Sequence, residues 1–280
     1  PYTFASVKSL RKLHLDHNDL TSIDELALSG LSTLEVIKID GNKLVEILPH
    51  SFVFMNIRNL DLSYQNVKTI DLDAISNCDN LEQINLANNQ LRHITPGFLT
   101  NLSLLDKIDL TANMLDGLSY NSFYSLDQLS TLLLSNNYIS SIQIGTFINL
   151  SELRVLLLNN NLLREVNSDM FVGLENLEQL LLDSNKLTIV KADTFKHLTS
   201  LDTLNLMNNY ITTIEANAFV QLTSLTDLEL SNNQLIEIGP NIFAGLFNLL
   251  QLSLSYNKIA SIAHNAFVKM SNLFYIELHS

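Results

Sequence analysis

Cysteine is nearly absent. Cys78 is the only one, so no internal disulfide can form, and no zinc-type cysteine spacing exists. Turn-formers are scarce too: eight glycines and four prolines are few for a chain that must reverse direction often, so another residue type has to make the turns. Basic residues are the minority, 16 Lys and Arg against 29 Asp and Glu, for a net charge of −13. That balance argues against a phosphate-binding groove, which needs a basic excess, and sets nucleic acid aside as a partner. The deficit is uneven: residues 1–60 carry six basic and seven acidic side chains, so the remainder holds nearly all of it. No apolar run reaches the ~18 residues of a membrane span. No signal-peptide or lipidation pattern is present either.

What is present is apolar material, 46% of residues, enough for a large core and too much for a disordered chain. It is arranged as a repeat. The string Leu153-x-x-Leu156-x-Leu158-x-x-Asn161-x-Leu163 recurs along the chain, and its ninth position reads Asn18, Asn42, Gln65, Asn89, Asn113, Asn137, Asn161, Asn185, Asn209, Asn233 and Asn257. The interval is 24 residues at every step but Asn42 to Gln65, where it is 23. Ten residues after each of these stands an apolar column rich in phenylalanine, among them Phe123, Phe147, Phe171, Phe195, Phe219 and Phe243. Three residues further on is a leucine column, in which Cys78 takes one place as a small buried hydrophobe. The pattern predicts one solenoid over 1–280, with eleven complete repeat motifs, partial units at both ends and no caps.

Leucines at positions four and six alternate with variable residues, the period of a short strand with one buried face. Such strands must stack on their neighbours, and equal connections make them parallel. About a dozen residues return the chain, too few and too aperiodic for a long helix, so the return is read as extended chain with 3₁₀ or polyproline-like turns. The asparagine is read as the turn-maker: its amide satisfies backbone groups left unpaired as the chain leaves the strand, and stacked amides form a buried ladder.

The 24-residue unit, with its ladder asparagine and the return seen in Asn217-Ala218-Phe219-x-x-Leu222, resembles the "typical" leucine-rich repeats of Toll-type receptors, chaoptin-like adhesion proteins and acid-labile-subunit-like secreted proteins. The resemblance implies an α/β-type solenoid shaped as a horseshoe, with a parallel concave β-sheet and a mostly non-helical convex side. It also implies an extracellular or cell-surface protein that binds a protein ligand or co-receptor, as a monomer or as a homo- or heterodimer. Members of this family close both ends with cysteine-rich caps, and this chain has none. It begins inside a return segment and ends inside a strand, as expected of a fragment of a longer ectodomain.

No constellation for catalysis, cofactor or metal survives inspection. There is no phosphate-cradling glycine loop, no Gly-x-Ser-x-Gly elbow and no His-Glu-x-x-His pair. His14 and Asp16, two apart on a strand, share its exposed face, but a third metal ligand is missing. Two sequons, Asn101-Leu102-Ser103 and Asn149-Leu150-Ser151, fall at one phase of the return and are candidate glycosylation sites.

Function is expected at the variable strand positions. The fifth position reads His14, Lys38, Asp61, Asn85, Asp109, Leu133, Leu157, Leu181, Asn205, Glu229, Ser253 and Glu277. Leu133, Leu157 and Leu181 would form an exposed stripe roughly 10 Å long, given strands ~4.8 Å apart. Val155 and Met207 flank it, and Tyr138 and Tyr210 follow neighbouring ladder asparagines. An apolar anchor inside a polar rim is how contact hot spots are built; side-by-side leucines that stiffen the sheet are the structural alternative. The basic strip Arg11, Lys12, His14 and Lys38 is a second candidate. The expected function is a recognition ectodomain, of an innate-immune or cell-surface receptor, with a self-associating adhesion or matrix scaffold as the rival reading.

Overall fold

Alternation of buried and outward residues over three positions makes each Leu-x-Leu segment a short strand. In the computed structural model, which describes residues 2–53 and 55–279, the chain divides into two compact units, Pro1–Tyr138 and Ile139–Ser280. In the first unit Lys12–His14, Val36–Lys38, Asn59–Asp61, Gln83–Asn85, Lys107–Asp109 and Thr131–Leu133 pair in chain order, all parallel. In the second, Val155–Leu157, Gln179–Leu181, Thr203–Asn205, Asp227–Glu229, Gln251–Ser253 and Tyr275–Glu277 do the same. Register is uniform: equivalent residues of successive turns face each other, as Leu156↔Leu180 and Leu180↔Leu204. Each unit is thus a parallel solenoid with almost no helix.

The core of one turn shows why. Leu153, Leu156, Leu158, Leu163, Phe171 and Leu174 are all fully buried, and burying each such side chain is worth about 1.5–3 kcal/mol. A three-residue strand cannot bury these alone, so stability comes from stacking one turn on the next. On the return side the phenylalanines stack as well. The rings of Phe195 and Phe219 are nearly parallel with centroids 6.0 Å apart, and the centroids of Phe219 and Phe243 are 6.4 Å apart.

The return segments hold no α-helix among the described residues, in keeping with the repeat. Among the described residues they hold a single 3₁₀ helix, Ser168–Phe171, whose Asn167 side chain accepts hydrogen bonds from the amides of Asp169 and Met170. Short two-residue strands also pair between successive returns, such as Ile189–Val190 with Thr213–Ile214.

The turns are made differently from the expectation. Among the described residues twenty-two non-glycine residues have positive φ, ten of them asparagine. One column of them lies immediately before the ladder position: His17, Tyr64, Asn88, Ala112, Asn136, Asn160, Ser184, Asn208, Asn232 and Tyr256, with Gly41 completing it. Asparagine visits this left-handed region more readily than most residues, which explains doublets such as Asn160-Asn161 and how so few glycines suffice. The residue before the ladder asparagine reverses the chain, and the ladder amide then satisfies the carbonyls that the reversal exposes.

Asn185 illustrates that ladder. Its Nδ2 lies within hydrogen-bond distance of the carbonyls of Leu182 (3.1 Å) and Asp183 (3.3 Å) in its own turn and Leu158 (2.9 Å) in the turn before. Eight asparagines of the column, Asn42 to Asn233, are buried. Asn18 and Asn257 depart from the expectation of a uniformly buried ladder. Asn18 is exposed and bonds only Leu15 and Asp16 of its own turn, having no earlier ladder turn against it among the described residues. Asn257 is half-buried but keeps its bond to Leu230 in the turn before.

The short repeat is distorted locally. Asn59–Asp61 pairs with Val36–Lys38 through Ile37↔Leu60 and Lys38↔Asp61 only, one residue fewer than at the other junctions. Gln65 is buried, donates to Ile39 O and accepts from Leu44 N at 3.1 Å. Both of these partners lie in the preceding turn. Its extra methylene reaches across to that turn, and the own-turn bonds that an asparagine makes are absent among the described residues. The return entering this repeat also carries an extra strand pair, Phe52–Val53 with Ile75–Ser76. Cys78 packs beneath it, buried, with Sγ 3.5 Å from Phe52 O, and burial raises its thiol pKa. A thiol in that state is inert packing material.

Candidate functional site

The outward residues of the second unit's sheet form its candidate surface. Leu157 and Leu181 face each other across adjacent strands, with Val155 opposite Gln179. All four are half-buried. The leucines are therefore less open than the stripe was expected to be, because register neighbours about 4.8 Å apart cover one another's flanks. Met207 is half-buried and Tyr210 is exposed. Leu133 and Tyr138 belong to the first unit, where Leu133 is half-buried opposite Asp109 and Tyr138 is exposed.

The fifth position has a local task that leucine cannot perform. Asp61, Asn85, Asp109 and Asn205 each accept a hydrogen bond at 2.9–3.0 Å from the backbone amide two residues on. Glu229 does the same for Ser231 N at 2.8 Å. These bonds tie down the exit from the strand. Leu157 and Leu181 have no acceptor to offer there, so their presence forgoes a stabilising contact of about 0.5–1.5 kcal/mol apiece.

The basic strip lies in the first unit, and its four side chains are exposed. His14 stands in register with Lys38. Its charge is offset, however: Arg11 Nη1 lies 2.8 Å from Glu35 Oε1. The adjoining groove, of about 870 Å³, is lined by Asp16, Glu35, Asp40 and Asp61 as well as Lys38 and Arg58. Asp16 is half-buried and faces His17, whose Nδ1 is 3.6 Å from it and 3.7 Å from Asp40. His17 thus sits between two carboxylates, Asp16 and Asp40. Among the described residues no group of three metal-ligating side chains converges.

Asn101 and Asn149 are both exposed on return segments, as are Ser103 and Ser151. Asn101 has φ 65, at a repeat position where Gly173 and Gly245 are also left-handed, so backbone geometry alone accounts for an asparagine there.

Two features escaped the sequence reading. The position before the strand carries cross-turn ion pairs in several turns, Arg58–Glu82 at 2.6 Å and Arg154–Glu178 among them. Late in the second unit that same position turns apolar, at Leu250 and Phe274, both exposed. The repeat alignment held the signal, since a column of charged and hydroxyl-bearing residues ends in two hydrophobes.

Six overlapping matches to the leucine rich repeat family model span residues 8–67, 55–115, 79–139, 127–187, 176–235 and 224–280. The chain belongs to the leucine-rich-repeat family. Fibromodulin from Oryctolagus cuniculus is 33% identical over 63 residues, 22% of this chain and 43% of that protein. Adenylate cyclase from Schizosaccharomyces pombe is 40% identical over 70 residues, 24% of this chain and 4% of the enzyme. Among solved structures, a chain of the TLR13–ssRNA13 complex superposes with a TM-score of 0.87 at 25% identity, covering 97% of this chain and 40% of that one. A chain of the Drosophila Toll–Spatzle complex gives 0.81 at 21% identity, covering 97% and 42%. This leucine-rich-repeat chain therefore spans well under half the length of these relatives. No helix among the described residues is long and apolar enough to cross a membrane.

Proposed function

We propose that this chain is the recognition part of a cell-surface or secreted leucine-rich-repeat protein, an innate-immune or other receptor ectodomain that takes a protein ligand without catalysis. The carrying observation is that Leu157 and Leu181 stand where polar residues elsewhere cap the strand exit, and so forgo that hydrogen bond. Hydrophobes that weaken the scaffold locally make sense as contact anchors, with Val155 and Met207 extending the patch and Tyr210 beside it. The Toll and TLR13 likenesses support a recognition role. The net charge of −13 favours a protein over an RNA as the ligand.

The test screens secreted and cell-surface proteins for binding to the chain and to its Leu157→Asp variant. A charge at the centre of a dry contact should weaken a genuine ligand by at least ~2 kcal/mol while unfolding stays cooperative. Ligands that bind both forms equally would move the site elsewhere. Concentration-dependent sedimentation of the wild-type chain, lost in the same variant, would instead mark Leu157 as a self-association contact and favour the adhesion scaffold.

A further inference from the structure

The last turns of the second unit carry a surface that the leucine pair does not explain. Phe247, Leu250 and Phe274 are 44%, 37% and 71% exposed. In the preceding turns of the same unit, the position of Leu250 and Phe274 holds Arg154, Glu178, Asp202 and Thr226. The position of Phe247 holds Ser151, Glu175, Thr199 and Thr223. Arg154, Glu178 and Asp202 are exposed too, so openness belongs to this place in the repeat rather than to these hydrophobes. The fold holds the patch together: the amides of Phe274 and Tyr275 both donate to Leu250 O, at 3.1 and 3.2 Å, and Asn272 Nδ2 donates to Phe247 O at 3.1 Å. Apolar side chains at polar positions contribute nothing to the core and add a cost in water.

Beside the patch the sheet is acidic. Asp227 is opposite Gln251, Gln251 is opposite Tyr275, and Glu229, Ser253 and Glu277 follow in the same register. Among the described residues none of Asp202, Asp227, Glu229 and Glu277 forms an ion pair with a lysine or arginine. Residues 201–280 contain six acidic residues, two lysines and no arginine. Burial, with Asp202 and Glu229 nearby, holds the Asp227 carboxyl above its ordinary pKa, as expected of negative charge that lacks a counter-charge.

We propose that Phe247, Leu250 and Phe274, together with the acidic strip Asp227–Glu229–Glu277, form a docking surface for a protein segment that interleaves lysine or arginine with large apolar side chains. The cations of the segment supply the counter-charge that the sheet lacks, and its hydrophobes cover the two exposed rings and the leucine. The inference rests on the chain being a recognition module, but the surface is separate from Leu157 and Leu181. An acidic strip also steers a basic partner toward the apolar contact.

The probe is a fluorescein-labelled dodecapeptide of alternating lysine and leucine, read by anisotropy at physiological ionic strength against the full chain. Lysine–serine and glutamate–leucine peptides serve as comparisons. Leu250→Ser with Phe274→Ser, and separately Asp227→Asn with Glu229→Gln, should each weaken the lysine–leucine peptide by at least about tenfold. Leu157→Asp should leave it unchanged, so failure of the leucine anchor and failure of this surface are told apart. Circular dichroism checks that each variant is folded; all substitutions are at exposed or half-buried positions. Equal binding of the lysine–serine peptide, undiminished binding by either double variant, or loss of binding in Leu157→Asp alone would overturn the proposal.

Discussion

Leu163 and Asn185 lie 22 residues apart, yet the amide of the first donates to the side-chain Oδ1 of the second at 3.0 Å. With Nδ2 of Asn185 on Leu158 O, one side chain both gives to and takes from the preceding turn, so it acts as a rivet between turns. Asn185→Ala would leave several buried backbone groups unpaired, and removing one buried partner costs about 1–3 kcal/mol. Urea unfolding should show that loss, with Asn18→Ala losing far less because Asn18 is exposed and bonds only its own turn. Equal losses at the two sites would contradict the rivet.

Gln65 tests the same device from the other side. Its longer side chain spans to Ile39 O and Leu44 N from a repeat one residue short. Gln65→Asn should fall short of both partners and destabilise the chain by about 1 kcal/mol or more, although asparagine is the residue used everywhere else in the column. Stabilisation by asparagine here would show that the short repeat leaves the ladder geometry unchanged.

Most of the architecture was legible because its cause is periodic. Leu156 and Leu158 recur every 24 residues, and a spacing of two with one buried face has few structural solutions. The short repeat at Gln65 was legible for the same reason, as a break in the period. The left-handed residue before each ladder asparagine was not, because His17, Tyr64, Ala112 and Asn160 share a backbone angle and no side-chain chemistry. The half-burial of Leu157 was missed because alternation predicts which way a side chain points, not how far its register neighbours cover it. Leu250 and Phe274 escaped because attention followed the residues between the leucines, while this surface is built from the position just before the strand.

Two glycines separate backbone strain from steric contact. Gly30 and Gly245 have nearly equal φ, +90 and +94. A Cβ on Gly30 would meet nothing nearer than 3.8 Å, whereas on Gly245 it would sit 2.3 Å from Val220 O in the preceding turn. Gly30→Ala should cost only the positive-φ strain, ~1 kcal/mol. Gly245→Ala must also push two turns apart and should cost at least ~2 kcal/mol. Thermal unfolding of the two variants gives the difference, and equal midpoints would mean that the turns slide past each other without resistance.

Asp227 makes the fold's stability depend on pH in a defined direction. Its carboxyl pKa is raised in the folded chain, first by burial and then by Asp202 and Glu229, from an ordinary value of 3.8. The ionised form is thus less favourable folded than unfolded. That cost is present in full above the folded pKa, shrinks as pH falls through it, and vanishes below 3.8. Asp227→Asn removes the charge at every pH, so its melting temperature should exceed that of the wild-type chain at neutral pH. The two should converge as pH drops through the window between the raised value and 3.8. Gln251 and Thr203, the register neighbours of Asp227, are uncharged, so the shift is carried by the two carboxylates and burial. Melting curves by circular dichroism from neutral to acid pH decide it. A variant less stable than wild type at neutral pH, or a gap that widens toward acid, would mean that Asp227 has a favourable partner in the folded chain. Asp227 would then no longer count among the uncompensated carboxylates of the strip.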